Sequence, residues 1–296
     1  MKKFFSAVFG LLFFICATCS AYTDTGKVRV TMLDVGQGDS FLVETPEQNI
    51  LIDTGDISAR DKLLTQLENA GITRFEKIIL THPHADHIGN AKIVIEKFPV
   101  DLIIDNGKQS NSPLYNNYTS TQIPRQAAVS GNVLDFGGGV KFNVFSPDNS
   151  APMNSVNNQS IVGKLTFGDF SILFTGDAES DIEKFLCKSD VNLSATILKA
   201  GHHGSKTSNS DNFVAHVNPK FIFISAGLGN KFGHPHKDPL RNFRSNFVLD
   251  ENIFCTAFNG QVVVESDGSN YLVIPEKFSD WLIDYTKEIV TVTRIS

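Results

Sequence analysis

The sequence predicts an α/β protein in which two mixed sheets face each other and helices cover their outer sides. Short segments rich in Val, Ile and Phe recur along the chain, each bounded by Gly, Asp, Asn or Pro, as strands are. Segments with helical spacing lie between them. The order is strands first, then helix and strand alternating, and this pattern occurs twice, which two facing sheets with outer helices satisfy.

Taken in order, strands are expected at 28–34, 40–44 and 49–53, followed by a helix at 59–70, a strand at 77–81, a helix at 88–98 and a strand at 101–105. Residues 106–132 are polar and rich in Ser, Asn and Gln, and read as an insertion or flap. The second half gives strands at 140–145, 161–167 and 170–175, a helix at 180–186, a strand at 195–199, a helix at 211–216, a strand at 220–225, a helix at 239–246 and a strand at 262–265. From about residue 280, Trp281, Leu282, Ile283, Ile289 and Val290 suggest a helix or strand docked on the body. No repeat and no internal boundary is visible, so residues 22–296 are expected to form one domain.

The 296 residues are 41% hydrophobic, 10% aromatic and 20% charged, which excludes a disordered, collagen-like or polytopic membrane chain. Lys2 and Lys3 precede an apolar run over 4–15, and the small residues Ala17, Thr18, Cys19, Ser20 and Ala21 follow. This is the pattern of an export signal over 1–21, too short to span a bilayer. The mature product is then expected to be secreted or periplasmic, with no stable membrane insertion. A lipid on Cys19 is the weaker alternative, because Thr18 stands where a Gly or Ala is usual. Net charge is −6, and −8 once Lys2 and Lys3 are gone (24 Lys+Arg against 32 Asp+Glu), which argues against a long non-specific grip on duplex nucleic acid. Cys187 and Cys255 remain in the mature chain; they could pair in an oxidising compartment or stay as separate thiols, and they carry no catalytic pattern.

The chemistry concentrates in Thr81-His82-Pro83-His84-Ala85-Asp86-His87, directly after an apolar strand. Three of the chain's eight histidines fall here with a carboxylate, the donor types that Zn²⁺ or Mn²⁺ prefer. Two more strands end in metal-type side chains: Phe170-Ser-Ile-Leu-Phe-Thr-Gly-Asp177 and Ala195-Thr-Ile-Leu-Lys-Ala-Gly-His-His-Gly204. A lone strand-end Asp is usually a turn residue, but three strand ends of this kind together point to a site for one or two divalent ions. Asp53 could orient one of the histidines, and Asp39 or Gln37 of the Gly-rich turn could stand behind the ligands.

The chain resembles the metallo-β-lactamase superfamily, whose His-x-His-x-Asp-His hallmark is matched by His82, His84, Asp86 and His87. Within it the likeness is to the hydrolase-like domain of ComEC-family DNA-uptake proteins. It is carried by Leu33-Asp-Val-Gly-Gln-Gly-Asp-Ser40, Leu51-Ile-Asp-Thr-Gly55, Asn157-Asn-Gln-Ser-Ile-Val162, Leu173-Phe-Thr-Gly-Asp177, Leu198-Lys-Ala-Gly-His-His-Gly-Ser205 and Phe232-Gly-His-Pro235. The resemblance implies a four-layer αββα sandwich with metals at one edge. It implies that His82 and His84 bind one ion, Asp86 and His87 the second, and that Asp177 bridges. His202 would complete the second site, with His203 as the competing choice and otherwise a catalytic residue. Where many members have a further His, this chain has Asn157-Asn158, which leaves the first ion's coordination open and speaks against a β-lactamase proper.

The activity so implied is hydrolysis by a metal-bound hydroxide, with an exported phosphodiesterase or nuclease as the first reading. Its substrate would be single-stranded nucleic acid or a phosphodiester of the cell envelope. Lys206, in Gly204-Ser-Lys-Thr-Ser208, suits phosphate oxygens, and His234 could protonate the leaving oxygen. A hydrolase of lactones, amides or β-lactams on the same fold and a non-catalytic, metal-stabilised binding module are the alternatives.

Overall fold

The computed structural model describes residues 26–278, 281–283 and 292–294. The expected export signal at 1–21 lies outside the described residues. The chain opens with antiparallel strands β1 (Val28–Met32), β2 (Phe41–Glu44) and β3 (Asn49–Ile52). Helix α1 (Arg60–Asn69) crosses to β4 (Phe75–Leu80), and α2 (Ala85–Ile88) with α3 (Ala91–Lys97) crosses to β5 (Val100–Asp105). Helix α4 (Pro113–Thr119) leads to β6 (Arg125–Ala127).

The second sheet begins with β7 (Val133–Asp135), β8 (Lys141–Ser146), β9 (Val162–Phe167) and β10 (Phe170–Phe174). It continues through α5 (Ser180–Lys188), β11 (Ile197–Lys199), α6 (Asp211–Val217), β12 (Phe221–Ile224), α7 (Lys237–Ser245) and β13 (Ile253–Cys255). The short helix α8 (Thr256–Asn259) turns the chain back, and β14 (Val262–Ser266) and β15 (Tyr271–Pro275) rejoin the first sheet. Strands β16 (Trp281–Ile283) and β17 (Val292–Arg294) pair with each other, so the segment expected after residue 280 is strand where it is described.

The first sheet runs β15-β14-β1-β2-β3-β4-β5-β6 and the second β13-β12-β11-β10-β9-β8-β7. Alternation along each strand builds the layers, because neighbouring side chains point to opposite faces. Ile50, Ile52 and Ile79 of the first sheet meet Phe142, Leu165, Ile172 and Phe174 of the second in a central core. The intervening Leu51, Ile78 and Leu80 face outward onto Leu63, Leu67 and Val94 of the helices. On the far side, Leu173, Leu198 and Ile222 take Ile182, Leu186, Phe213, Leu240 and Phe243. The result is the expected αββα sandwich. Strands β3 to β6 are parallel, as are β10 to β13, so their C-terminal ends collect at one edge. That edge carries the site, the usual place for one in such sheets.

Two expectations change. Residues 106–132 are not a flap: β6 is the edge strand of the first sheet, and α4 packs on α3, burying Tyr115 and Tyr118 three positions apart. The helix expected over 88–98 is broken at Gly89-Asn90. A Cβ at Gly89 would lie 2.5 Å from Ala85 O and from Ile57 N, so backbones meet there at a distance only glycine tolerates.

Candidate metal centre

Strand β4 stops at Leu80, and Asp53 fixes the turn that follows: its carboxylate accepts from Thr81 N (2.8 Å) and Thr81 Oγ1 (2.7 Å). His82 is then buried, its Nδ1 beside Ser160 Oγ (3.2 Å) and its Nε2 3.0 Å from His84 Nδ1. His84 is the N-cap of α2, whose single turn sets Asp86 and His87 beside it. Asp39 N–H donates to Asp86 O (3.0 Å), and Gly38, at φ +136°, lies so near that a Cβ would be 2.3 Å from that oxygen. The Gly-rich turn is thus a backbone clamp on the motif.

Asp177, at the end of β10, is the hub. Its Oδ1 is 3.2 Å from His87 Nε2, and its Oδ2 is 3.5 Å from His203 Nε2, 3.7 Å from His202 Nε2 and 3.8 Å from His82 Nε2. Ser160 Oγ accepts from Asp177 N (3.0 Å) and so joins the hub to His82. After β11 the chain puts His202 and His203 both in the left-handed region, at φ +51° and +55°. Each costs about 1–3 kcal/mol and persists only when its surroundings over-determine it. Asn209 does so by clamping Gly201 N (2.8 Å) and O (2.9 Å) with its side chain.

This backbone decides between the paired histidines. His203 is buried; its Nδ1 donates to Ser225 O (2.9 Å), which directs Nε2 to within 3.3 Å of Asp86. Asp86, His87, Asp177 and His203 then form one group of donors, all within 4.8 Å of one another. His202, expected as that ligand, lies outside this group although its Nε2 is 3.7 Å from Asp177 Oδ2: its side chain is 23% exposed and its Nδ1 faces Thr207 Oγ1 (3.1 Å). His82, His84 and Asp177 form a second group within the same limit. Asn158 adds nothing to it, since its amide donates to Asn154 Oδ1 (2.7 Å) and accepts from Glu179 N (2.9 Å).

Behind the donors, Asp53 holds His87 Nδ1 at 2.7 Å, as expected of it. Asp39 reaches His203 Nδ1 (3.3 Å) and His87 Nδ1 (3.8 Å). Its other partner was not foreseen: the Nζ of Lys199, 1% exposed, lies 2.5 Å from Asp39 Oδ2, donates to Gly176 O (2.9 Å) and is 4.0 Å from Asp177 Oδ1. A lysine in the apolar run Ile197-Leu198-Lys199 was the available signal. A charged residue in a buried strand needs a partner.

Burial works against charge throughout, and carboxylates and imidazoles overturn it mutually. Burial would lower His87 and His203, yet Asp177 and Asp53 raise His87 well above the usual range, and Asp177 and Asp39 raise His203 to about 9. Burial would raise Asp177 and Asp86, yet His87 and His203 hold both low. His82 is driven well below its usual value by burial and by His87. His234 reaches the site, its ring centroid 5.6 Å from His202 and 6.1 Å from His203, but burial and then its His neighbours push it down to about 3. Its ring thus borders the paired histidines, where the expected proton donor would stand. Lys206 is exposed and joins the rim through its backbone N–H, which donates to His236 Nδ1 (3.0 Å).

The donor set fits divalent ions. Asp177 Oδ1, His87 Nε2 and His203 Nε2 are buried without a hydrogen-bond partner among the described residues, and their side chains belong to one group within 4.8 Å of one another, the demand that a cation meets. His82, His84 and Asp177 would hold one ion and Asp86, His87, Asp177 and His203 the other, with Asp177 shared.

The fold and this shared-carboxylate site are those of a metal-dependent hydrolase fold. The chain belongs to the metallo-beta-lactamase superfamily, whose family model matches residues 33–224. It is 35% identical over 238 residues to ComE operon protein 3 of Bacillus subtilis, covering 72% of this chain and 30% of that protein. It is 31% identical over 283 residues to Recombination protein 2 of Haemophilus influenzae, covering 92% and 34%. These relatives are ComEC-family competence proteins, and the chain spans about a third of their length. Among solved structures, the metallo-beta-lactamase fold protein YhfI of Bacillus subtilis superposes with a TM-score of 0.54 at 14% identity, covering 81% of this chain and 99% of that one. It shares the fold.

Proposed function

We propose that this chain is an exported metal-dependent phosphodiesterase, acting on single-stranded nucleic acid or on a phosphodiester of the cell envelope, with Zn²⁺ or Mn²⁺ as its ions. The observation that carries the reading is Asp177, whose carboxylate is shared by two adjoining donor groups. Paired divalent ions supply Lewis acidity and an activated water at neutral pH, a clamp suited to in-line displacement at phosphorus.

The chain's own groups do the rest. Asp53 and the Ser225 carbonyl fix the ring orientations of His87 and His203, so that each presents Nε2 forward. Thr207 and Lys206 line the rim as donors for the non-bridging phosphate oxygens, with the buried Ser205 hydroxyl 3.1 Å from Thr207 Oγ1. His234, whose ring borders His202 and His203, supplies a hydrogen bond to the leaving oxygen and so stabilises developing charge there. Export rests on Lys2, Lys3 and the apolar run that follows. Among the described residues no helix is long and apolar enough to cross a membrane.

The test is hydrolysis of bis(p-nitrophenyl) phosphate by the purified protein with Mn²⁺ or Zn²⁺. His84→Ala and Asp177→Ala should abolish it while far-UV circular dichroism stays native. Equal background from wild type and variants with each metal would defeat the proposal.

A further inference from the structure

Beside the metal centre lies a cavity of about 630 Å³ whose lining includes Val35, Ala59, Lys62, Asp86, Lys231 and Phe232. Asp86 belongs to the donor group, so the cavity and the metal centre share that residue. Phe232 is 50% exposed, and two features show that its position is built rather than incidental. Its ring lies nearly flat on His234, with centroids 5.5 Å apart and planes 19° apart. Its loop is tied by one side chain: Asn230 donates to Gly227 O (2.8 Å) and His234 O (2.7 Å), and accepts from Phe232 N (3.2 Å) and His234 N (3.0 Å).

Cations accompany the ring. Lys231 Nζ is 5.0 Å from the Phe232 centroid and forms no ion pair among the described residues, while Lys62, also in the lining, is paired with Asp34. A fixed aromatic face with an ammonium against it that has no ion-pair partner among the described residues, in a cavity that shares Asp86 with the metal centre, matches a ligand that joins a flat ring to a phosphate. Stacking on such a face accepts any ring, and the ammonium adds charge attraction.

We propose that this cavity is a ring-binding subsite: it receives the base of a nucleotide-like phosphate ester, stacks it on Phe232 and sets Lys231 against the adjoining phosphate. The placement of the phosphate at the metal edge rests on the phosphodiesterase reading above. The subsite makes Phe232 a specificity-determining residue, favouring diesters that carry a flat ring over those of simple polyols.

Calorimetric titration of the full-length protein with Mn²⁺ present, using thymidine 5′-phosphate and 2-deoxyribose 5-phosphate as probes, isolates the base. Thymidine 5′-phosphate should bind at least about tenfold more tightly. Phe232→Ala should weaken it by about 5- to 150-fold, the loss of one stacking contact, and leave the base-free sugar phosphate unchanged. Phe232→Trp should restore the preference. Equal binding of both probes by the wild type overturns the subsite, as does a Phe232→Ala variant that weakens both alike, since the ring would then only prop up His234. Turnover of bis(p-nitrophenyl) phosphate on the same samples separates the two ideas. No turnover with base selectivity intact defeats the phosphodiesterase reading alone, and turnover without base selectivity defeats the subsite alone.

Discussion

Replacing Lys199 by Met tests the buried charge network behind the metal centre. Lys199 and Asp39 are 1% and 2% exposed, and the Nζ–Oδ2 distance is 2.5 Å. The substitution keeps the bulk of the side chain but leaves the Asp39 carboxylate buried with only His203 and His87 at 3.3 and 3.8 Å. Removing one member of a buried pair costs about 3–5 kcal/mol, because the remaining charge keeps its desolvation penalty. The bond to Gly176 O goes too, which frees the residue next to Asp177. Urea denaturation of the metal-free protein should therefore show a loss of about 3–5 kcal/mol for Lys199→Met. The double variant Lys199→Met/Asp39→Asn should recover about 2 kcal/mol or more of that loss, since it removes the orphaned charge. A cost below about 1 kcal/mol for the single variant, or additive effects in the pair, would refute the reasoning.

Three further outcomes follow from the same geometry. Metal binding must displace the proton of His203, which Asp177 and Asp39 raise to about 9, and that of His87, which Asp177 and Asp53 also raise, so Zn²⁺ affinity should climb with pH up to about 9, by roughly tenfold per unit for each proton displaced; competition with a chromogenic chelator reads this, and a flat profile from pH 7 to 8.5 contradicts it. Gly38→Ala, with its Cβ 2.3 Å from Asp86 O and a backbone at φ +136° far from any conformation Ala adopts, should cost at least about 2 kcal/mol more than Gly36→Ala, which has open space and a milder left-handed φ of +69°; equal losses on denaturation would show that the clamp yields freely. Burial pushes Glu44 up to about 7 from the ordinary 4.5, against Arg29, so its contribution to stability is complete below pH 4.5 and is lost as pH rises through 7. Glu44→Gln should then gain up to ~3 kcal/mol at pH 8 and nothing at pH 4, and an equal gain at both would exclude the cause.

The strands that the sequence revealed are those with strong one-sided or two-sided apolar runs, such as Phe75–Leu80 and Phe170–Phe174, because burial on both faces leaves a continuous Val, Ile and Phe signature. The ones it hid are short and wet. All three residues of Arg125–Ala127 are exposed, and Val133–Asp135 buries only Leu134, so neither carries a burial pattern to read. Ile253–Cys255 has only three residues, and Tyr271–Pro275 lies at a sheet edge with Leu272 and Ile274 exposed. Helix Pro113–Thr119 is written in weak helix formers and is held by Tyr118 against Asp105 and by Arg125 against Tyr115 and Asp105, contacts that cross sheet and helix.

By itself the sequence determined which donor types exist and that three strand ends carry them, since histidines and aspartates at such spacings have few other uses. It could not choose between His202 and His203. Adjacent residues differ only in where the backbone aims them, and here two left-handed residues, following Gly201 that Asn209 clamps from eight positions on, send His203 inward and His202 to the rim. Nor could it show that Lys199 meets Asp39, 160 positions earlier, or that Phe232 lies flat on His234 above a cavity. Those pairings arise where two sheets close on each other, and the distances that govern charge, stacking and coordination exist only once they have closed.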